Sequence, residues 1–253
     1  MKIRSVKAIE VDVTPHATTR PRVPKIETNG FVSPMQRYPE LKRSDWDNSW
    51  KRTACVVTAE DGTWGFGLTL HSGVTVPLIN DHIGPVIEGE NCMATERVWD
   101  LMQKATAPYG TAGVSSFAIS AVDNALWDLK GKLLNKPVYE IIGGPQKEKI
   151  FCYASNTDLS YGTENSIDWF LELGFKAVKL FLREGPDAGL AGLNRTEELV
   201  AKTREQVGPD VEIAVDCWMS MNTDYMVRLA EQLRPYRIKW LEDYMLPEDL
   251  DSY

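Results

Sequence analysis

Four short apolar stretches decide the fold of this chain: IFCYA from Ile150, FKAVKLF from Phe175, VEIAV from Val211 and IKWL from Ile238. Segments of helical period separate them, near residues 163–173, 194–206 and 222–234. Strands that alternate with helices of this length pair in parallel through right-handed crossovers. The pattern therefore predicts either a doubly wound sheet or a (β/α) barrel, and the period alone does not choose between them.

The first 145 residues follow a different pattern, which begins with an antiparallel sheet. Residues 2–13 alternate between polar and apolar, as a strand does. Residues 54–59 and 64–70 form a predicted hairpin around Gly62, because a tight turn needs a residue that tolerates positive φ. An antiparallel sheet followed by helical segments predicts an α+β domain.

The clearest helix of the sequence runs over residues 114–134, where apolar residues recur on one stripe. It should end near Asn135, because the residue before Pro137 avoids the helical region. The glycine and proline residues at 143–145 then mark a boundary. We therefore predict two domains, which comprise residues 1–145 and 146–253.

A long proline-rich stretch of about residues 15–50 separates the first strand from the hairpin. Loops of this length in a compact domain are usually functional lids or disordered, and the interspersed tryptophans argue against plain disorder. A surface loop that merely packs its aromatic residues is the alternative. The lid interpretation makes Arg37 and Arg43 candidate contacts to a bound substrate.

The composition narrows the possible partners. The chain has 28 basic and 36 acidic residues and a formal net charge of −8, without basic blocks, which argues against binding to nucleic acid or an anionic membrane. No apolar run approaches the roughly 18 residues that a membrane span needs, so we expect a cytoplasmic protein. The four cysteines show no CxxC pair, so neither a zinc site nor a disulfide framework is expected.

Two carboxylates end neighbouring predicted strands: Asp216 follows VEIAV and Glu242 follows IKWL. In (β/α) architectures the chemistry lies at the carboxyl ends of strands, so these side chains should point at a common spot. A divalent cation would relieve their repulsion, and hard oxygen ligands suit Mg²⁺. The alternative is that both residues merely cap the N-termini of the following helices, and spacing alone leaves the two interpretations even.

Lys179 occupies the same position one strand earlier, in FKAVKLF. An ammonium beside two carboxylates and a metal could neutralise a substrate carboxylate or oxyanion, or act as a base if its pKa were lowered. The alternative is a strand-end lysine that extends to solvent.

Several motifs together resemble the enolase superfamily, in its mandelate racemase-like branch of acid-sugar dehydratases and nearest to the L-rhamnonate dehydratase group. They are SFAISAVDNALWDLKGKLLNKPVYEIIGG from Ser116, VDCWMS from Val215, KWLED from Lys239 and the lid residues Ser33-Pro34-Met35 with Arg37-Tyr38. The resemblance runs through essentially the whole chain. It implies an α+β capping domain followed by a (β/α)₇β barrel, and it favours the metal interpretation of Asp216 and Glu242.

The resemblance also implies eight barrel strands, whereas the sequence ends at Tyr253, just after the fourth. We therefore expect a truncated chain that is inactive by itself. A third acidic metal ligand and a histidine–aspartate general base should follow Tyr253. His16, His71 and His82 all precede the barrel, and we expect His71 to be structural.

Two departures from the wider branch pattern bear on the reaction. Many members carry Lys-x-Lys at the second strand end, where this chain has Lys179-Leu180-Phe181. After the first metal ligand many have Asp-x-Asn, where this chain has Asp216-Cys217-Trp218, as the rhamnonate group does. Both departures disfavour racemisation, which needs bases on both faces of the substrate.

The resemblance therefore implies Mg²⁺-dependent dehydration of a sugar acid, of the L-rhamnonate or L-lyxonate type, to a 2-keto-3-deoxy acid through an enediolate. Asp216 and Glu242 would hold Mg²⁺, and Lys179 would be catalytic. Arg43, Arg37 and Trp218 are the candidate substrate-binding residues, and we expect a homo-oligomer. The alternatives are an epimerase or cycloisomerase of the same superfamily, and a non-catalytic scaffold.

Overall fold

The computed structural model describes residues 1–12, 51–110, 112–155 and 163–253. The chain divides into two compact units, and the division falls between Glu148 and Lys149. The predicted lid, with Arg37, Arg43 and His16, lies outside the described residues. Among the described helices none is both long enough and apolar enough to cross a membrane.

The first unit begins with a three-stranded antiparallel sheet in the order β1-β2-β3. Its strands are β1 (Ile3–Val11), β2 (Arg52–Ala59) and β3 (Trp64–Thr69). The hairpin prediction is confirmed, because Thr58 pairs with Trp64 and the connecting turn contains Gly62 at φ 91°. That φ lies in the left-handed region, which glycine enters without steric cost.

Helices cover this sheet. They are α1 (Ser72–Pro77), α2 (Gly84–Ile87), α3 (Thr95–Thr106), α4 (Val114–Leu134) and α5 (Val138–Ile141), with a π-helical segment at Leu78–Ile83 and a 3₁₀ turn at Ala107–Tyr109. Helix α4 lies directly against β3, because Gly65 and Gly67 present no side chain to it. Apolar side chains from the sheet and from these helices form one continuous core.

Helix α4 has the bounds that the sequence predicts. It ends where Asn135 takes the left-handed conformation, at φ 51°, and the following Lys136 precedes Pro137. Asparagine tolerates this conformation better than most residues, so it makes an effective helix end. One residue departs from the apolar stripe: Phe117 is 36% exposed and its ring packs on His71, with centroids 4.8 Å apart.

The second unit contains a parallel sheet in the order β4-β5-β6, formed by β4 (Ala177–Phe181), β5 (Glu212–Asp216) and β6 (Ile238–Glu242). The helices are α6 (Thr163–Glu172), α7 (Gly189–Val207) and α8 (Thr223–Leu233), with 3₁₀ turns at Pro186–Ala188, Arg234–Tyr236 and Leu250–Ser252. Helix follows strand in regular alternation, so the predicted βα rhythm is confirmed for these elements. The strands and helices enclose a second apolar core.

The stretch IFCYA, predicted as the first strand of this unit, is not a full strand. Only Ala154 pairs with the sheet, in a parallel bridge to Val178. Its N–H donates to Ala177 at 2.9 Å, and its carbonyl accepts from the N–H of Lys179 at 2.8 Å. Ile150 and Phe151 are exposed, so no apolar neighbour among the described residues holds the beginning of the stretch in an extended pairing.

Candidate active site

The last residues of the three parallel strands lie side by side. Phe181 pairs with Asp216, and Asp216 pairs in turn with Glu242. Both carboxylates therefore stand at the carboxyl edge of the sheet, in register, as their spacing predicts. In folds of this class that edge is where ligands bind.

The prediction that Lys179 occupies the same strand-end position is wrong, because it pairs with Ala214, two residues before the end of β4. Its side chain nevertheless bridges the two carboxylates. Its Nζ lies 2.6 Å from Oε1 of Glu242 and 3.2 Å from Oδ2 of Asp216. The residue is only 7% exposed. The alternative of a solvated strand-end lysine is therefore wrong, because the ammonium points into the site instead of into water.

The remaining oxygen of each carboxylate also accepts a hydrogen bond. Oδ1 of Asp216 accepts from the backbone N–H of Trp218 at 3.0 Å. Oε2 of Glu242 accepts from the indole N–H of Trp240 at 2.9 Å. Each carboxylate is thus held at one oxygen by a residue of its own strand end and at the other by Lys179. Such paired anchoring fixes the orientation of both groups.

The alternative that Asp216 caps a helix is also wrong. Helix α8 begins at Thr223, and its N-cap is Asn222, whose side chain accepts from the N–H of Tyr225 at 2.9 Å. Within the described residues no helix begins directly after Glu242 either, since the next element is the 3₁₀ turn at Leu250–Ser252. The two carboxylates therefore have no capping role.

The surroundings shift the pKa values of the ionic groups. Burial alone would lower the pKa of Lys179, but its hydrogen bonds to Glu242 and Asp216 outweigh burial and raise it. Burial alone would raise the pKa of Glu242, but the hydrogen bonds from Lys179 and Trp240 outweigh it and lower it. Lys179 and Glu242 are therefore held in their charged forms at neutral pH.

The loops that follow β5 and β6 have an unusual backbone. Trp218, Met219 and Asp243 all have positive φ, at 40°, 57° and 46°, a region that side chains other than glycine seldom occupy. The two loops hold each other, since Cys217 donates to the carbonyl of Glu242 at 2.9 Å and further backbone bonds follow. Strain of this kind persists where the surroundings enforce it, and it clusters at functional sites.

Trp218, a predicted substrate-binding residue, stands at the edge of the site. Its ring meets the ring of Phe181 edge to face, with centroids 5.5 Å apart, and the residue is 42% exposed. Phe181 fills the position that carries a second lysine in many members of the resembled branch. An apolar wall therefore borders the cationic and anionic groups of the site.

Asp243 is a third acidic residue at the site, and the sequence reasoning did not name it. Ligand atoms of Asp216, Glu242 and Asp243 lie within 4.8 Å of one another. In a regular strand Asp243 would point away from Glu242, since successive side chains alternate between faces. The strand ends at Glu242, and the positive φ of Asp243 lets its carboxylate join the group. In the sequence, the consecutive acidic residues Glu242 and Asp243 at a predicted strand end are the signal that could have identified Asp243.

The donor set fits a hard divalent cation. Three carboxylates against the one ammonium of Lys179 leave an excess of negative charge, and carboxylate oxygens are the ligands that Mg²⁺ prefers. Mg²⁺ holds its oxygen ligands at about 2.1 Å, so ligand oxygens must lie within about 4 Å of one another. The carboxylate oxygens here lie within 4.8 Å of one another. Exposed acidic groups at the carboxyl edge of a sheet also remain open to water, which Mg²⁺ retains in proteins.

The two histidines that the structure describes, His71 and His82, lie in the first unit. His71 begins α1 in the left-handed conformation, and its carbonyl accepts from the N–H groups of Val74 at 3.1 Å and Thr75 at 3.0 Å. His82 Nε2 lies 3.2 Å from the carbonyl of Ala105. Both therefore serve the packing of the first unit, and the structural interpretation of His71 agrees with its contacts.

Comparison with known proteins identifies the family. Residues 50–143 match the mandelate racemase / muconate lactonizing enzyme N-terminal domain, and residues 164–253 match the enolase C-terminal domain-like family. Together the matches cover more than half of the chain. The chain belongs to the enolase superfamily, in its mandelate racemase-like branch. Its first unit is the capping domain of that superfamily, and its second is the start of the barrel domain.

Individual relatives agree with this assignment. L-rhamnonate dehydratase of Saccharopolyspora erythraea is 39% identical over 225 residues, which are 88% of this chain and 56% of that protein. The crystal structure of rhamnonate dehydratase from Gibberella zeae complexed with Mg superposes with a TM-score of 0.83 at 28% identity, and covers 99% of this chain and 61% of that one.

A third relative has a different activity in its name. The 3,6-anhydro-D-galactonate cycloisomerase from Zobellia galactanivorans superposes with a TM-score of 0.71 at 31% identity, over 80% of this chain and 56% of that one. The chain thus spans 56% to 61% of the length of these three relatives.

Proposed function

We propose that the protein to which this chain belongs is a Mg²⁺-dependent lyase that removes water from a sugar acid and yields a 2-keto-3-deoxy acid. The observation that carries the proposal is the group of Asp216, Glu242 and Asp243 around the ammonium of Lys179 at the carboxyl ends of the strands. The rhamnonate dehydratases similar to this chain support a sugar acid of the L-rhamnonate type as the substrate class. The L-lyxonate type stays a prediction of the sequence.

Asp216 and Glu242 would hold the cation, and Asp243 is the further carboxylate within reach. When bound, Mg²⁺ acts as a Lewis acid that stabilises the negative charge formed when the proton beside the substrate carboxylate is removed. The hydrogen bonds from Trp218 and Trp240 keep the two ligands in fixed orientation, so little reorganisation is needed as charge develops.

Lys179 would bind the carboxylate of the substrate or the oxygen of its enediolate. The ammonium stands between the two carboxylates, where its positive charge would stabilise a developing oxyanion. Phe181, where racemases of the branch carry a second lysine, offers no base on that face. This chemistry favours dehydration over racemisation, which needs a base on each face.

Trp218 would form part of the wall against the carbon chain of the sugar acid, since its ring is partly exposed beside Phe181. Arg37 and Arg43 of the proposed lid would contact the hydroxyl-rich tail and help to exclude water. The homo-oligomer and the cytoplasmic location stay predictions of the sequence.

A ligand substitution series tests the proposal. Asp216→Asn and Glu242→Gln keep the shape of each side chain and remove its charge. Both should weaken Mg²⁺ binding, measured by isothermal titration calorimetry, and should abolish formation of 2-keto-3-deoxy acid from a panel of aldonates. The control is Glu212→Gln, which lies at the other end of β5 and pairs with Lys239 on the surface at 2.9 Å.

Two results would overturn the proposal. One is saturable Mg²⁺ binding that neither Asp216→Asn nor Glu242→Gln changes. The other is a wild-type protein that binds Mg²⁺ yet converts no aldonate to a keto-deoxy product.

A second candidate is cycloisomerisation of a related acid, which the similarity to the Zobellia galactanivorans cycloisomerase favours. The two reactions differ in mass balance, because dehydration removes one water from the substrate and isomerisation leaves its mass unchanged. Mass spectrometry of the products therefore separates them. A product of unchanged mass would support the second candidate against the first.

A further inference from the structure

Glu242 differs from Asp216 in how its second oxygen is held. The backbone N–H of Trp218 binds Asp216, so no side-chain substitution can remove that donor. Oε2 of Glu242 instead accepts from a side chain, the indole N–H of Trp240, at 2.9 Å. Residues 240 and 242 project from the same face of β6, because side chains in a strand repeat every second residue.

Trp240 is itself held in place by an aromatic neighbour. Its ring meets the ring of Tyr153 edge to face, with centroids 5.3 Å apart. The same Tyr153 ring lies 5.4 Å from Nζ of Lys179. Tyr153 precedes Ala154, whose bridge to Val178 fixes this stretch beside β4. A chain of contacts therefore runs from the backbone through Tyr153 and Trp240 to Glu242.

We infer that Trp240 is a positioning residue for the candidate metal site: its indole N–H holds Oε2 of Glu242 and so fixes the direction of Oε1, which faces the ammonium of Lys179. The inference rests on the proposed function, because it requires that Glu242 be a metal ligand. Without the indole donor the glutamate would be held at Oε1 alone, by Lys179, and would lose more side-chain entropy on binding the cation. Hydrogen-bond partners of metal ligands typically contribute about 10- to 100-fold to metal affinity.

The test compares metal affinities measured by isothermal titration calorimetry with Mg²⁺, and with Mn²⁺ as a second probe. Trp240→Phe keeps an aromatic ring beside Tyr153, removes the indole donor and makes the side chain smaller. We expect its Mg²⁺ affinity to fall about 10- to 100-fold while the metal-free melting temperature changes little. Trp169→Phe is the matched control, because Trp169 packs on Phe170 in α6. The Mg²⁺ affinity of this variant should equal that of the wild type.

Glu242→Gln distinguishes a failure of the proposed metal site from a failure of the proposed role of Trp240. If Glu242→Gln weakens Mg²⁺ binding and Trp240→Phe does not, the positioning inference is overturned and the metal site survives. If Glu242→Gln itself binds Mg²⁺ like the wild type, the proposed metal site fails and the inference fails with it. If Trp240→Phe unfolds, Trp240→Leu serves instead, since it keeps an apolar side chain and has no donor, and normal affinity in that variant would overturn the inference.

Discussion

The capping domain and the barrel domain bury their polar side chains in different ways. In the capping domain the buried polar side chains that the structure describes are neutral, as are Thr53 and Thr75, whose hydroxyls share a hydrogen bond of 2.7 Å. In the barrel domain Lys179 is buried as well, and it is the one charged side chain among the buried polar residues that the structure describes. Its partners are two carboxylates that remain partly exposed.

The buried charge of Lys179 indicates that the barrel domain contains a functional site, because such a charge does not favour stability. A buried ammonium carries a desolvation cost that apolar packing would avoid, and ion pairs seldom offset that cost in full. The capping domain, by contrast, has an apolar core and close packing of backbone against backbone at β3 and α4. Substitutions that act on packing should therefore have their largest effect in the capping domain, and substitutions that act on charge should have theirs in the barrel domain.

The largest effect should come from Gly67→Ala in β3. A Cβ atom at this position would meet the backbone of Ala121 and Ala125 in α4, and the backbone there cannot move aside as a flexible side chain could. Overpacking of this kind costs about 3 kcal/mol or more. Urea unfolding followed by circular dichroism measures the loss.

The control for this substitution is Gly73→Ala. Gly73 lies in α1 and has open space where a Cβ atom would stand, so alanine should be neutral or slightly stabilising there. Equal destabilisation by the two substitutions would contradict the close approach of α4 to β3.

The elements predicted from local pattern are the ones that the structure reproduces. Residues 114–134 and Asn135 were predictable because apolar period and a following proline act within a few residues. The stretch from Ile150 has a strand-like composition, yet it forms only a single bridge, at Ala154. A strand needs partners far away in sequence, and composition does not specify whether they are present.

The site was predictable to the extent that it follows strand register. Asp216 and Glu242 were found because each closes an apolar stretch of similar length. Lys179 stands two residues before the end of its strand, opposite Ala214, and it joins the site because its long side chain extends to both carboxylates. Asp243 was missed because a regular strand would turn it to the opposite face, and its positive φ is a tertiary effect. The bond from Trp240 to Glu242 depends on side-chain rotamers, which a sequence pattern does not determine.

A smaller effect, in the other domain, should come from Lys179→Met, which removes the buried charge and keeps much of the side-chain length. The carboxylates of Asp216 and Glu242 would then face each other without a counter-ion. Their partial exposure to water moderates the cost, so we expect a loss of about 2 kcal/mol in the free energy of unfolding. Added Mg²⁺ should restore more stability to this variant than to the wild type, because the cation replaces the missing charge.

Lys239→Met is the matched control in the same domain. Lys239 pairs with Glu212 at 2.9 Å, and both side chains are more than 40% exposed, so the loss should be well under 1 kcal/mol. Thermal unfolding with and without Mg²⁺ measures both variants. The same Mg²⁺ response in Lys179→Met and Lys239→Met would contradict a cation site at Lys179.

The smallest effect should come from Tyr225→Phe, and its sign should be opposite. Tyr225 lies buried in α8, and within the part of the chain that the structure describes its hydroxyl has no hydrogen-bond partner. Burial raises the pKa of Tyr225 to about 12, so the group stays neutral. Removing a buried hydroxyl that binds nothing should stabilise the barrel domain by about 1 kcal/mol.

The same substitution at Tyr236 provides the comparison, because the hydroxyl of Tyr236 donates to Glu197 at 3.1 Å. Tyr236→Phe should therefore destabilise the protein, by about 1 kcal/mol, while Tyr225→Phe stabilises it. Urea unfolding of the two variants and of the wild type measures the change in the free energy of unfolding, and its sign, for both substitutions. If Tyr225→Phe proved as destabilising as Tyr236→Phe, the buried hydroxyl would have a partner, and the barrel core would be as fully hydrogen-bonded as the threonine pair of the capping domain.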